Sequence, residues 1–146
     1  MNSIDYRTVL TTNIPPREAS EKIPQVSKWW STIFEGSSSK VGDMFTVRFK
    51  KTGDWYTIRI DEMSPDKKIV WHVIDAEQTW HEHRKEWVGT TIIWEISPAN
   101  NGSTITMTHR GLIPDFECYD KCKMGWDYLL KESLYKFLTR GAGQPV

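Results

Sequence analysis

Three groups in this 146-residue sequence have the types and spacing to do chemistry: His109, the pair Cys118 and Cys122, and His81-Glu82-His83. An imidazole titrates near neutral pH, so a buried one can orient a ligand or act as general acid or base. Thr104, Thr106 and Thr108 alternate with Ile105, Met107 and His109, a period of two that aims His109 at the interior. No second catalytic group stands at a helpful spacing, so the expected role is a core histidine bonded to backbone or water, with proton transfer as the alternative. Cys118 and Cys122 are four apart, which suits neither a zinc knuckle nor a redox pair, and they read as buried free thiols. A nucleophilic Cys122 would need His109 to lower its pKa. His81 and His83 could place two imidazoles on one side of an extended segment. No further ligand is evident for them, so they read as solvated loop residues, and neither metal nor cofactor is assigned. Asp61, Glu62 and Glu95 do not converge, because alternation sends Glu95 outward, and paired-carboxylate hydrolysis has no support.

These groups must be positioned by elements that the same periodicities reveal. Ile4 to Leu10 has strand-like composition and ends in Thr12-Asn13. Pro15-Pro16 then opens a short helix that Pro24 ends, and a second short helix runs from Val26 to about Trp30. Beyond Gly42-Asp43 the period becomes two, with Phe45, Val47 and Phe49 opposite Thr46, Arg48 and Lys50. Further strands are expected over Trp55 to Met63, Lys68 to Ile74, Glu86 to Ser97 and Ser103 to Arg110, with polar Asp75 to Lys85 as a long connection. In the third of these Ile92, Trp94 and Ile96 should face in. A last helix begins near Pro114 to Glu117 and stops at Gly141 near Arg140, with Cys118, Cys122, Trp126 and Leu129 on its apolar face. Gly125 in mid-helix costs about 1 kcal/mol relative to alanine, so close approach of the sheet, or room for a ligand beside Trp126, is expected there.

Composition bounds the rest. The chain is the length of one domain, residues 1–146, without repeat or linker. Nineteen basic and nineteen acidic residues cancel, so no global field recruits nucleic acid. No apolar run is long enough to insert into a membrane and no signal pattern opens the chain, so a cytoplasmic location is expected. Eight tryptophans are more than a small core usually needs, unless it walls off a wide space or binds something flat and apolar.

Several motifs in order carry a resemblance: Lys28-Trp-Trp30, Val41-Gly-Asp43, Pro65-Asp-Lys-Lys-Ile-Val-Trp71, Glu86-Trp-Val-Gly-Thr90, Thr106-Met-Thr-His-Arg-Gly-Leu112 and Gly125-Trp-Asp-Tyr-Leu-Leu-Lys-Glu-Ser-Leu134, with the tail Gly141-Ala-Gly-Gln-Pro145. Over nearly the whole chain they resemble the START-like or Bet v 1-like (SRPBCC) superfamily, in the branch related to the activator of the heat-shock protein 90 ATPase. The resemblance implies an α+β helix-grip fold: a curved antiparallel sheet wrapped around a long C-terminal helix, with two short helices after the first strand. It also implies a cavity between sheet and helix that takes an apolar or amphipathic small molecule. Its expected lining is Trp30, Phe45, Val47, Trp71, Trp87, Trp94, Met107, Cys122, Trp126 and Leu129, with His109 as the polar contact. A non-catalytic binding module is the first expectation. A cyclase or aromatase type of enzyme using His109, and a co-chaperone-like domain meeting a protein partner, are the alternatives. Homodimerisation through the sheet stays open.

Overall fold

The computed structural model describes residues 4–146. Seven strands form one antiparallel sheet: β1 (Tyr6–Thr12), β2 (Ile33–Gly36), β3 (Met44–Arg48), β4 (Trp55–Ser64), β5 (Lys68–Glu77), β6 (Thr91–Ala99) and β7 (Gly102–Arg110). Their spatial order is β1-β7-β6-β5-β4-β3-β2, so the chain's first strand closes the sheet beside its last. Side chains alternate between faces along a strand, and in β1 and β7 every second residue is buried. Register then stacks His109 between Tyr6 and Ile92, and Met107 between Thr8 and Trp94, on one inner face. Two irregularities in the β4–β5 pairing, at Thr57/Ile58 and Ile60/Glu62, add local twist and curve the sheet.

The C-terminal helix fills the concavity. It runs without interruption through α2 (Tyr119–Tyr128), a π-helical segment (Leu129–Leu134) and α3 (Tyr135–Arg140), and ends where Gly141 takes φ 81°, a left-handed conformation that glycine adopts freely. Cys122, Trp126, Leu129, Leu130, Leu134, Phe137 and Leu138 are buried along it. Tyr6 on β1 donates to Asp127 Oδ1 at 2.6 Å and ties the helix to the sheet edge. The helix α1 (Pro16–Lys22), with proline in its first turn, and the single 3-10 turn Val26–Lys28 close the end of the sheet with Ala19, Ile23 and Val26 buried. This is the expected helix-grip architecture.

Three local expectations change. The four-residue edge strand β2 has no alternation to announce it. It exists because Phe34 stacks on Phe45 at 5.6 Å and Gly36 lies against β3, where a Cβ would sit 2.3 Å from the Met44 carbonyl. The strand expected from Glu86 begins instead at Thr91, because Glu86 to Thr90 fold into turns closed by Val88 N–H to Lys85 O and Thr90 N–H to Trp87 O. The last helix begins at Tyr119, later than expected. Its free amides are met from a distance, with Glu86 accepting from Glu117 N at 2.8 Å and Cys118 N at 3.1 Å.

Candidate functional site

The tryptophans pack mainly on one another. Trp30 stacks on Trp29 and Trp71 at 5.8 and 6.3 Å and meets Trp126 at 5.0 Å, while Trp94 sits edge-on to Trp29 and Trp71 at 5.7 and 5.4 Å. Such offset and edge contacts are favoured by the ring quadrupole, and they fill the deep part of the concavity with indole. Phe45, Val47, Trp71, Trp94 and Met107 belong to this solid interior, each no more than 1% exposed.

The space that remains lies at one end of the helix. A cleft of about 370 Å³ opens between α2, β4 and the turns before β6. Trp30, Trp87, Cys122, Trp126 and Leu129, five of the eleven expected lining residues, border it. Tyr56, Phe49 and Trp80 complete the apolar wall, and Asp54 and Lys121 supply charge at its rim. Gly125 also borders the cleft, and a Cβ there would meet nothing within 4 Å. Of the two expected reasons for a mid-helix glycine, space beside Trp126 is the one present. A larger opening of about 720 Å³ lies at α1 and the β4–β5 turn, where Arg17, Glu21, Lys28 and Ser37 to Ser39 stand beside Val26, Phe34, Met63 and Ile69, and it contains none of the expected residues.

His109 is fully buried and lies behind Trp87 and Trp126 rather than in the cleft. The Thr90 hydroxyl donates to Trp87 O at 2.6 Å, so it accepts from His109 Nε2–H at 2.8 Å. His109 Nδ1 in turn accepts from Trp126 Nε1–H at 3.0 Å. Both nitrogens are therefore engaged and the ring is neutral, and burial pushes its pKa down to about 3. This arrangement fixes the Trp126 indole as one wall of the cleft.

Both thiols are free and buried. Cys122 Sγ accepts from Gln78 Nε2 and Trp87 Nε1, each at 3.3 Å. A hydrogen bond from the Cys118 thiol, then those from Gln78 and Trp87, hold the Cys122 pKa below the usual thiol value, while Cys118 is pushed far up, first by that same bond and then by burial. Gln78 also donates to Tyr56 OH at 3.0 Å, and the Tyr56 hydroxyl donates to Asp54 Oδ2 at 3.3 Å. Asp54 accepts in addition from Trp80 Nε1 at 2.6 Å, which holds that ring at the rim. Tyr56, Asp54, Gln78 and Trp80 were not among the expected site residues. A tryptophan inside the polar stretch Asp75 to Lys85 was the one signal for them.

The chain is similar in fold to the Aha1 dimer from Colwellia psychrerythraea, with TM-score 0.75 and 20% identity over 98% of this chain and 100% of that one. It is also similar to protein MLL2253 from Mesorhizobium loti, with TM-score 0.69 and 17% identity over 91% and 96% of the two chains. DynU16, from the dynemicin biosynthetic locus, gives TM-score 0.64 and 18% identity, covering 94% of this chain and 48% of its own. No curated protein matches. Among the described residues no helix is long and apolar enough to cross a membrane. The sequence profile of the family described as "Activator of Hsp90 ATPase homolog 1-like protein" matches residues 22–139, and the chain belongs to that family, a branch of the START-like fold.

Proposed function

We propose that this chain is a small-molecule binding domain whose cleft takes an apolar or amphipathic ligand, lipid-like or aromatic. The observation that carries the reading is the cleft itself. Its volume of about 370 Å³ falls within the range of small-ligand sites, and its walls are indole, phenyl and leucyl with a few polar groups at one rim. Asp54 and Lys121 suit a ligand with one polar end. A cyclase-type reaction would need a proton carrier in contact with the ligand. His109, the residue expected to move that proton, has both nitrogens engaged and lies outside the cleft, which speaks against a reaction run by His109. Similarity to a protein solved as a dimer makes self-association a further part of the proposal.

The test is quenching of tryptophan emission by a panel of fatty acids and planar aromatic compounds, for the wild type and Gly125→Phe. The added ring projects into open space beside Trp126 and should fill the cleft without disturbing the core. Saturable quenching by at least one compound, lost in Gly125→Phe, is expected. A panel that gives no saturable quenching, or quenching unchanged in the variant, refutes the assignment.

A further inference from the structure

His81 and His83 have a partner that their spacing does not reveal. The turn leading into α2 brings Glu117 to them, and its Oε1 lies 3.0 Å from His81 Nδ1 and 2.9 Å from His83 Nδ1. The three donor atoms all fall within 4.8 Å of one another. Glu117 is placed there by Glu86, whose carboxylate accepts its backbone N–H at 2.8 Å.

The hydrogen bonding behind His81 decides what can sit between these atoms. Tyr56 OH gives its hydrogen to Asp54, so it accepts from Gln78 Nε2. With Cys122 Sγ taking the amide's second donor contact, Gln78 Oε1 is left to face His81 Nε2 at 2.7 Å. His81 Nε2 must therefore carry a hydrogen. In the neutral ring Nδ1 is then a bare lone pair directed at a carboxylate oxygen 3.0 Å away, two acceptors face to face. A proton or a metal ion between them removes the repulsion. A second proton would do so by making an imidazolium of a side chain that is only 5% exposed. A metal ion would do so with the ring neutral, and an imidazole that binds metal through one nitrogen while donating its other N–H to a carbonyl is the usual support for such a ligand.

We propose that His81 Nδ1, His83 Nδ1 and a Glu117 oxygen form a binding site for one divalent transition ion of the zinc type. Two imidazoles and a carboxylate are a ligand set suited to that ion, with bonds of about 2.0–2.2 Å, so the two nitrogen–oxygen pairs, now 3.0 and 2.9 Å apart, need to part by about a few tenths of an ångström. Neighbouring Glu86 and Cys118 also lie near His81. Glu86 is taken up with the amides of Glu117 and Cys118, and the Cys118 thiol keeps its proton for Cys122, so neither completes the shell. The fourth position faces solvent on the side of His83, whose side chain is 66% exposed.

The experiment uses tag-free full-length protein stripped with chelator, then titrated with Zn²⁺ in a calorimeter and with Co²⁺ in the visible spectrum. One ion per chain, and a cobalt band of four-coordinate intensity, are expected. His83→Ala and Glu117→Gln should each weaken binding by at least about 10- to 100-fold, the loss typical even of outer-shell changes. Both positions are on the surface, so unchanged far-UV circular dichroism and melting of the metal-free variants separates lost ligation from lost fold. No saturable uptake, or uptake that His83→Ala leaves unchanged, overturns the site. Fatty-acid and aromatic quenching is measured separately, so failure of the metal site and failure of the cleft reading are told apart.

Discussion

The neutral, fully buried His109 should make stability depend on pH well above the range where carboxylates matter. Its pKa falls from the ordinary 6.5 to about 3 in the folded protein, with burial as the cause. A base whose folded pKa is depressed contributes stability that is fully present above the unfolded value and is lost as pH falls toward the folded value. Each pH unit in that window removes about 1.4 kcal/mol, so the loss between pH 6.5 and pH 5 is about 2 kcal/mol. Carboxylates held low, such as those of Asp61, Asp75 and Glu77, lose their contribution only as pH falls below their ordinary values of 3.8 to 4.5, beneath the interval from pH 7 to pH 5. Urea unfolding followed by tryptophan emission at pH 7 and pH 5, for the wild type and His109→Gln, isolates the effect, because the other imidazoles contribute alike to both proteins. Glutamine can keep one donor for Thr90 and one acceptor for Trp126, so the variant should fold with reduced stability at pH 7. Its deficit should then shrink by about 2 kcal/mol at pH 5. Equal losses in the two proteins between pH 7 and pH 5, or an NMR signal showing His109 protonated at pH 5, would refute the reasoning.

Two further outcomes are expected. Gly125→Ala should raise the unfolding free energy by about 1 kcal/mol, since the added methyl improves helix propensity and meets no atom within 4 Å; a destabilised variant in the same urea assay would count against the cleft geometry. Alkylation by iodoacetamide, followed by peptide mass mapping, should label Cys122 before Cys118, because Cys122 borders the cleft and its pKa is lowered while that of fully buried Cys118 is raised. The opposite order would contradict the hydrogen-bond directions around Cys122.

Much of the fold was legible because its signals are periodic. Alternation in Met44 to Lys50 and Ser103 to Arg110 reports a sheet with one dry face, and it placed His109 inward. The left-handed Gly141 ended the helix where expected. The site was less legible because it is built from places where period is lost. Trp87 and Gln78 reach Cys122 from the turn-rich stretch between β5 and β6, and Glu117 meets the two histidines from a turn more than thirty residues away in sequence. No local pattern encodes such meetings. Composition left one question open: eight tryptophans could wall a wide cavity or fill a core, and here the indoles pack well enough on one another to consume most of the space they enclose.

The π-helical stretch Leu129–Leu134 has a bearing on which side of the helix each half buries. A π turn holds one residue more than an α-helix needs to cover the same rise, so the surplus residue is accommodated locally and the helix continues beyond it. Upstream, Cys122 and Trp126 face the cleft, and downstream, Phe137 and Leu138 are buried on α3, which meets β1, with exposed Lys131 and Glu132 lying between the two sets. A bulge at this point turns the downstream buried face by the surplus residue, relative to a straight α-helix. The surplus residue therefore sets which side of α3 meets β1 separately from the side of α2 that walls the cleft.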